Sequence, residues 1–251
     1  MKLEDYIEQM KQSEDTSSYI ELDKDKEIKY MQDHIYNFKR IAESIPTLPK
    51  PVRLLDIGPT PFTIFIKKNF PEYEIWALDR TNLMENRFKE AEIQLKVCDL
   101  DNVTIPVEDE YFDIVIFTEV LEHIFAPPTS ILTEIKRIMR PSGKLILSVP
   151  NIANLSRRIR FLFGVTPLPN ADGLFKKDGV HGHGHIHEYT QKEILTLCKS
   201  VNFRISNVQM TPIMPLEMLQ KKEFNLIKFI YGCITFLVPS FRAIIYIECY
   251  K

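Results

Sequence analysis

Short apolar runs alternate with amphipathic stretches along most of the chain. The runs are rich in Ile, Leu and Val, as expected of strands that are buried on both faces of a parallel sheet. We predict strands at residues 52–57, 74–78, 93–97, 114–117, 144–149, 204–210 and 243–249. Because helical patterns lie between several of these runs, the sequence predicts a doubly wound α/β sheet.

Helical patterns are clearest at residues 61–69, 129–139 and 190–200. Residues 140–143 (Arg-Pro-Ser-Gly) predict that the second of these helices stops and that a turn follows. Residues 1–50 predict helices in front of the sheet, so we divide the chain into an N-terminal helical lid region at 1–50 and a sheet domain at 51–251. The alternation breaks at residues 151–189, which predicts a lid-like insertion over the strand ends.

Two carboxylates and a histidine follow the fourth predicted strand. Glu119, Glu122 and His123 are spaced at i, i+3 and i+4, which a helix places on one face. Ligands of open α/β sheets bind outside the carboxyl ends of the strands. We therefore expect the chemistry of this protein at that end of the sheet.

Acidic residues also end the first three predicted strands. Asp79 lies 23 positions after Asp56, and Asp99 follows the third strand. An acidic residue at the tip of the second strand is where a nucleoside ribose is held through its hydroxyls. Each acid alone is more often a helix cap or a turn residue, but the three together predict a nucleoside cofactor.

These motifs in combination resemble the class I S-adenosylmethionine-dependent methyltransferases, of methyltransferase type 11/23, over about residues 52–203. The resemblance implies an enzyme with a Rossmann-like seven-stranded sheet whose last strand is antiparallel. The residues that carry it are Leu54-Leu55-Asp56-Ile57-Gly58, Asp79, Cys98-Asp99-Leu100, the stretch 112–124, the stretch 137–145 and Ser148-Val149-Pro150-Asn151.

The resemblance also implies which residues bind S-adenosylmethionine, all of them at strand ends. They are Asp56 and Gly58 for the methionine end, Asp79 for the ribose, Asp99 and Leu100 for the adenine, and Thr118 beside them. The family has two or three glycines after the first strand, whereas this chain has Gly58 followed by Pro59-Thr60-Pro61. Prolines fix φ and remove backbone donors, so a noncatalytic binding protein on a degenerate methyltransferase fold is an alternative.

The acceptor determines how much help the reaction needs. The sulfonium methyl group is already electrophilic, but an aliphatic hydroxyl needs a base or a metal ion to become a nucleophile. His123 is the simplest base, with Glu119 as the second catalytic residue. We expect O-methylation of a small-molecule or sugar/glycan hydroxyl, and N-methylation of a small amine is the alternative.

A narrower resemblance concerns a metal site. Glu119, Glu122, His123 and His185 are similar in sequence pattern to the ligands of metal-dependent Glu-x-x-Glu-His O-methyltransferases. Such a mixed oxygen and nitrogen set suits Mg²⁺, Mn²⁺ or Zn²⁺. The alternative is structural, since these side chains can also cap helices and hold the insertion by hydrogen bonds.

Composition restricts the partners and the compartment. The net charge of −2 predicts no nucleic-acid partner, and we interpret the local cluster of Arg157, Arg158 and Arg160 as a solvated helix face. The four cysteines form no Cys-x-x-Cys pair, which favours a reducing cytoplasm. An apolar run at residues 224–241 is too short to span a bilayer, so we expect a helix that packs on the core or makes peripheral contact with a membrane.

Overall fold

The computed structural model describes residues 1–12, 24–168, 184–211 and 226–251, without the side chains of 226–229. Its centre is a seven-stranded sheet in the order β3-β2-β1-β4-β5-β7-β6. The strands are β1 Arg53–Ile57, β2 Glu74–Asp79, β3 Gln94–Val97, β4 Phe112–Thr118, β5 Met139–Pro150, β6 Arg204–Thr211 and β7 Ile244–Tyr250. The strands β1 to β5 are parallel, and β7 is antiparallel to β5 and β6. The predicted Rossmann-like sheet with an antiparallel last strand is confirmed.

Both faces of the central strands are buried, which explains their continuous apolar runs. Neighbouring residues of one strand point to opposite faces, so Leu54 and Ile114 join one core whereas Leu55 and Val115 join the other. All four side chains are at most 1% exposed. A polar residue at any of these positions would be buried on one face or the other.

The helices cover the sheet on both sides. They are α1 Leu3–Gln12, α2 Lys24–Asp33, α3 Ile35–Ser44, α4 Pro61–Asn69, α5 Glu85–Glu90, α6 Pro128–Ile138, α7 Leu155–Leu162, α8 Gln191–Ser200 and α9 Leu226–Leu237. The N-terminal helices share a core with α4, where the rings of Phe38 and Phe62 stack with centroids 4.5 Å apart. Glu27 of α2 pairs with Arg87 of α5 at 3.1 Å. The described residues of 1–50 are thus mainly helical up to Ser44, and their action as a lid stays a prediction.

The turn predicted at residues 140–143 is instead the irregular beginning of β5. Phe112 pairs with Met139 and Ile114 pairs with Lys144, so the register shifts between them. Ser142 takes up the extra length with a positive φ of 64°. A Cβ atom on Gly143 would lie 2.9 Å from the carbonyl oxygen of Arg140, which explains the glycine. The turn residues form a bulge because the strand continues on both sides.

The insertion and the late apolar run are described in part. Helix α7 begins the insertion, and residues 169–183, which include His181 and His183, lie outside the described residues. Helix α9 and a 3₁₀ turn at Pro239–Phe241 occupy the apolar run from residue 226 onward. Throughout the described part of the chain, each helix is too short or too polar to cross a bilayer.

Candidate active site at the carboxyl ends of the strands

A cavity of about 380 Å³ opens where β1, β2 and β4 end and where the chain leaves β3. Helix α2 contributes Tyr30 to its wall. Of the residues predicted to form the site, those that line the cavity are Gly58, Asp79, Asp99, Leu100, Thr118, Glu119 and His123. Three further residues lie outside the lining, namely Asp56, Glu122 and His185.

The turn after β1 requires its one glycine. Gly58 has a φ of 72°, a conformation that residues with a Cβ atom rarely adopt. Its amide donates to the carbonyl oxygen of Leu78 at 3.0 Å. A Cβ atom at this position would lie 2.2 Å from Cγ2 of Val120. The turn therefore lets the backbone of β1 approach the loop that follows β4.

The two prolines of this turn are compatible with an open cavity. Thr60 is the N-cap of α4, and its hydroxyl accepts a hydrogen bond from the amide of Phe62 at 3.2 Å. Pro61 is the first residue of α4, where a missing N–H group costs nothing because the helix leaves it unpaired. Thr60 lines the cavity, so the prolines have not closed the site. The strength of cofactor binding stays a prediction.

Asp56 lies behind the cavity wall. Its side chain is 4% exposed, and Oδ2 accepts a hydrogen bond from the hydroxyl of Thr63 at 2.6 Å. Burial raises the pKa of Asp56 from 3.8 to about 7, although the Thr63 hydrogen bond opposes the shift. The carboxyl of Asp56 lies under the turn between β1 and α4, and its contact with the cofactor stays a prediction.

Asp79 and Asp99 combine turn formation with a position in the cavity wall. Oδ1 of Asp79 accepts hydrogen bonds from the amide of Thr81 at 2.7 Å and from its hydroxyl at 3.0 Å. Oδ1 of Asp99 accepts from the amide of Asp101 at 3.0 Å. Both carboxylates stand at adjacent strand ends of the same cavity, which is the arrangement expected for a nucleoside site.

The prediction that a helix presents Glu119, Glu122 and His123 on one face is wrong. Glu119 has a φ of 56°, and only Leu121–His123 form a short 3₁₀ turn. The left-handed residue turns the chain sharply after β4, which stops a longer helix from forming. As a result Glu119 and His123 line the cavity, whereas Glu122 is 1% exposed beneath them.

Glu119 is fixed by two residues that the sequence did not identify as site residues. The hydroxyl of Ser148 donates to Oε1 of Glu119 at 2.8 Å, and the amide of Asn37 donates to the Ser148 hydroxyl at 3.2 Å. Burial raises the pKa of Glu119 from 4.5 to about 7, while the Ser148 hydrogen bond and the charge of His185 oppose the shift. Thr118 pairs with Ser148 in the sheet, so the position of Ser148 at a strand end was the available signal.

Three of the four predicted metal ligands come together. One possible ligand atom each of Glu122, His123 and His185 lies within 4.8 Å of the others, and Glu119 is not in this group. Both carboxyl oxygens of Glu122 are buried without a hydrogen-bond partner among the described residues. Burial, and then the charge of Glu119, raises the pKa of Glu122 well above 4.5. Such an orphaned carboxyl is unusual and is what a cation would stabilise.

The insertion is held to this site by an ion-pair chain that the sequence did not predict. Nδ1 of His185 lies 2.6 Å from Oε1 of Glu188, and Arg157 of α7 pairs with the same carboxylate. Burial raises the pKa of Glu188, but the hydrogen bonds from His185 and Arg157 outweigh it and hold that pKa below 4.5. The backbone carbonyl of Glu122 accepts from the amide of Ile186 at 2.7 Å. These contacts position His185 beside His123, with ring centroids 4.8 Å apart.

Comparison with known proteins shows which family this chain is similar to. A family model described as a methyltransferase domain matches residues 29–208, and no curated protein matches the chain. One similar solved structure is an S-adenosylmethionine-dependent methyltransferase from Methanosarcina mazei, with 18% identity over 81% of this chain and 94% of that chain and a TM-score of 0.54. A second, from Archaeoglobus fulgidus, has 16% identity over 89% of this chain and 99% of that chain and a TM-score of 0.56. A third is the 1,6-didemethyltoxoflavin N1-methyltransferase of Burkholderia thailandensis with bound S-adenosylhomocysteine, with 14% identity over 88% of this chain and 76% of that chain and a TM-score of 0.50. At these identities the structures show a shared fold.

Proposed function

The chain belongs to the methyltransferase-domain family and is an S-adenosylmethionine-dependent methyltransferase; from this premise we propose that it methylates a hydroxyl group of a small molecule or of a sugar in a glycan. One observation carries the proposal. Glu119 and His123 line the same cavity as Asp79 and Asp99. Groups that can accept a proton therefore stand in the compartment that would hold the cofactor.

The bound cofactor supplies an electrophilic methyl group on a sulfonium ion, and the residues of the chain supply position and a base. Asp79 and Asp99 would orient the nucleoside, and Gly58 in the cavity wall would lie beside the methionine end of the cofactor. Glu119, with a pKa of about 7, can take a proton from a hydroxyl at neutral pH. The hydrogen bond from Ser148 fixes the direction of that carboxylate.

We further propose that a divalent cation assists the reaction, held by Glu122, His123 and His185. The support is the orphaned carboxyl of Glu122 beside two imidazoles. One carboxylate and two histidines suit Mn²⁺ or Zn²⁺ and, with added oxygen ligands, Mg²⁺. Three protein ligands leave positions open for an acceptor oxygen. The ion would lower the pKa of a hydroxyl that it binds, and Glu119 would be the nearby proton acceptor.

The cytoplasm is the compartment that we propose for this reaction. Cys98, Cys198, Cys233 and Cys249 are all free thiols. Two of them, Cys198 and Cys249, are fully buried. Free thiols persist where glutathione keeps cysteines reduced.

The test separates cofactor binding, metal binding and turnover. Calorimetric titration of metal-stripped protein with S-adenosylmethionine should show binding that Asp79→Ala abolishes and that Glu122→Gln and His123→Ala retain. Titration with Mn²⁺ or Zn²⁺ should show binding that Glu122→Gln weakens by about tenfold or more. Glu90→Gln, which removes an exposed carboxylate of α5, is the matched control.

Turnover is then measured with methyl-labelled cofactor and matched hydroxyl and amine acceptors. We expect label in hydroxyl compounds and its loss in Glu119→Gln and His123→Ala. Label in amines alone, with both variants active, would exclude O-methylation. Equal loss of cofactor binding in the Asp79, Glu122 and His123 variants would exclude the separate roles assigned to them.

A further inference from the structure

Large apolar side chains are exposed to solvent on two segments outside the candidate active site. Phe161, Leu162 and Phe163 at the end of α7 are 70%, 80% and 77% exposed. Phe236 and Leu237 at the end of α9 are 64% and 75% exposed. Single exposed apolar residues are ordinary, but contiguous exposed patches mark an interaction surface.

The two segments are linked through the 3₁₀ turn that follows α9. The guanidinium of Arg158 lies 5.1 Å from the ring centroid of Phe241, in the 3₁₀ turn after α9. The side-chain amide of Asn151 donates to the carbonyl oxygens of Ser240 at 3.0 Å and Arg242 at 2.8 Å. We call the exposed side chains of residues 158–165 and 234–238 the α7–α9 surface.

The charge of this region is positive. Residues 155–168 and 226–242 contain no Asp or Glu. They contain five cationic residues, which are Arg157, Arg158, Arg160, Lys228 and Arg242. Arg158 and Arg160 are exposed next to the apolar side chains. The whole chain, in contrast, has a net charge of −2. Because Arg157 pairs with Glu188, the cations that we assign to this surface are Arg158 and Arg160.

We propose that the α7–α9 surface docks the protein on an anionic lipid bilayer. Apolar side chains flanked by arginines are what interfacial binding requires, because the apolar groups enter the acyl boundary while the arginines pair with lipid phosphates. A second copy of the chain fits this surface less well, since an isologous contact would bring two sets of cations together.

Docking in this way would bring the candidate active site near the membrane. Arg157, on the same helix as Phe161, pairs with Glu188, which in turn contacts His185. A hydroxyl acceptor on an anionic membrane would therefore be close to the residues that the proposed chemistry uses. The docking itself does not depend on that chemistry and is measured without turnover.

The test is flotation of the full chain with lipid vesicles. We expect binding to phosphatidylcholine vesicles that contain one third phosphatidylglycerol, weak binding to phosphatidylcholine alone, and weakening by salt. The double variants Phe161→Ser/Phe163→Ser and Arg158→Glu/Arg160→Glu should each lower partitioning into the anionic vesicles by about tenfold or more. The matched controls Leu83→Ser and Lys89→Glu change exposed residues near and in α5 and should bind as the parent protein does.

Several outcomes would overturn the proposal. They are failure of the parent protein to bind anionic vesicles, equal binding to both kinds of vesicle, and parent-like binding by both double variants. Dimerisation in gel filtration that the Phe161/Phe163 variant abolishes would identify a second copy as the occupant. Titration with S-adenosylmethionine shows that each variant is folded, and it also separates failure of this inference from failure of the proposed function.

Discussion

Asp56→Asn should make the stability of the protein less dependent on pH. The buried carboxyl of Asp56 has a pKa of about 7 in the folded protein, against 3.8 as its ordinary value. Between these two values the unfolded chain releases this proton and the folded chain retains it. The unfolded state then binds fewer protons, so the free energy of unfolding falls as pH rises. Asparagine keeps the shape and can still accept the Thr63 hydrogen bond, but it cannot ionise.

The magnitude follows from the pKa of Asp56 alone. Between about pH 5 and pH 7 the free energy of unfolding of the parent protein falls by about 1.4 kcal/mol per pH unit because of Asp56, or about 3 kcal/mol in total. Above pH 7 Asp56 is ionised in both states and contributes no further slope. The free energy of unfolding of Asp56→Asn, relative to the parent, should therefore rise by about 3 kcal/mol between pH 5 and pH 8.

Urea unfolding of the cofactor-free protein at several pH values measures this difference. A constant penalty for the asparagine amide cancels because the prediction concerns the change with pH, and titrations shared by both proteins cancel as well. Glu90→Gln, an exposed carboxylate, is the control. If the difference between Asp56→Asn and the parent does not change over this range, the carboxyl of Asp56 is hydrated or ionised, and the reasoning from its burial is refuted.

Two further predictions concern the cavity wall. Gly58→Ala should lower S-adenosylmethionine affinity by about tenfold or more, because its Cβ atom would lie 2.2 Å from Val120 at a φ of 72°. Adding Val120→Ala to this variant should restore part of the affinity. If calorimetry shows no loss of affinity in Gly58→Ala, the steric argument is contradicted. Ser148→Ala should move the acidic limb of the pH–rate profile to higher pH. The hydrogen bond from Ser148 lowers the pKa of Glu119, so its removal should raise that pKa. An unmoved limb would mean that Glu119 is not the base.

The strands were predictable from sequence because burial on both faces leaves a continuous apolar run. The helices predicted at residues 61–69 and 190–200 have a similar local cause, since the structure shows that Thr60 and Thr190 cap them through hydrogen bonds to nearby residues. The cluster after β4 was located correctly, but its geometry was not. The residue types do not indicate that Glu119 adopts a left-handed conformation. That turn places the half-buried Glu119 and His123 in the cavity wall and Glu122 beneath them.

The contacts that sequence could not supply are those between distant parts of the chain. Asn37 reaches Ser148 across 111 positions, and Arg157 reaches Glu188 across 31. Each of these residues, taken alone in the sequence, is of a type that is common in helices or loops. Their roles arise from the order of the strands and from the path of the insertion, which only the folded chain defines.

The buried carboxyls around this cavity explain why cationic ligands suit it. Burial raises the pKa values of Asp56, Glu119 and Glu122, so each costs free energy to ionise while the site is empty. A positive charge in the cavity reduces that cost for whichever carboxyl it approaches. A sulfonium ion beside Glu119 and a metal ion on Glu122 would each do so, and each would release protons on binding. Binding of the cofactor and binding of the cation would therefore both be favoured by buried carboxyls with raised pKa values, and variants of Glu119 and of Glu122 distinguish the two effects.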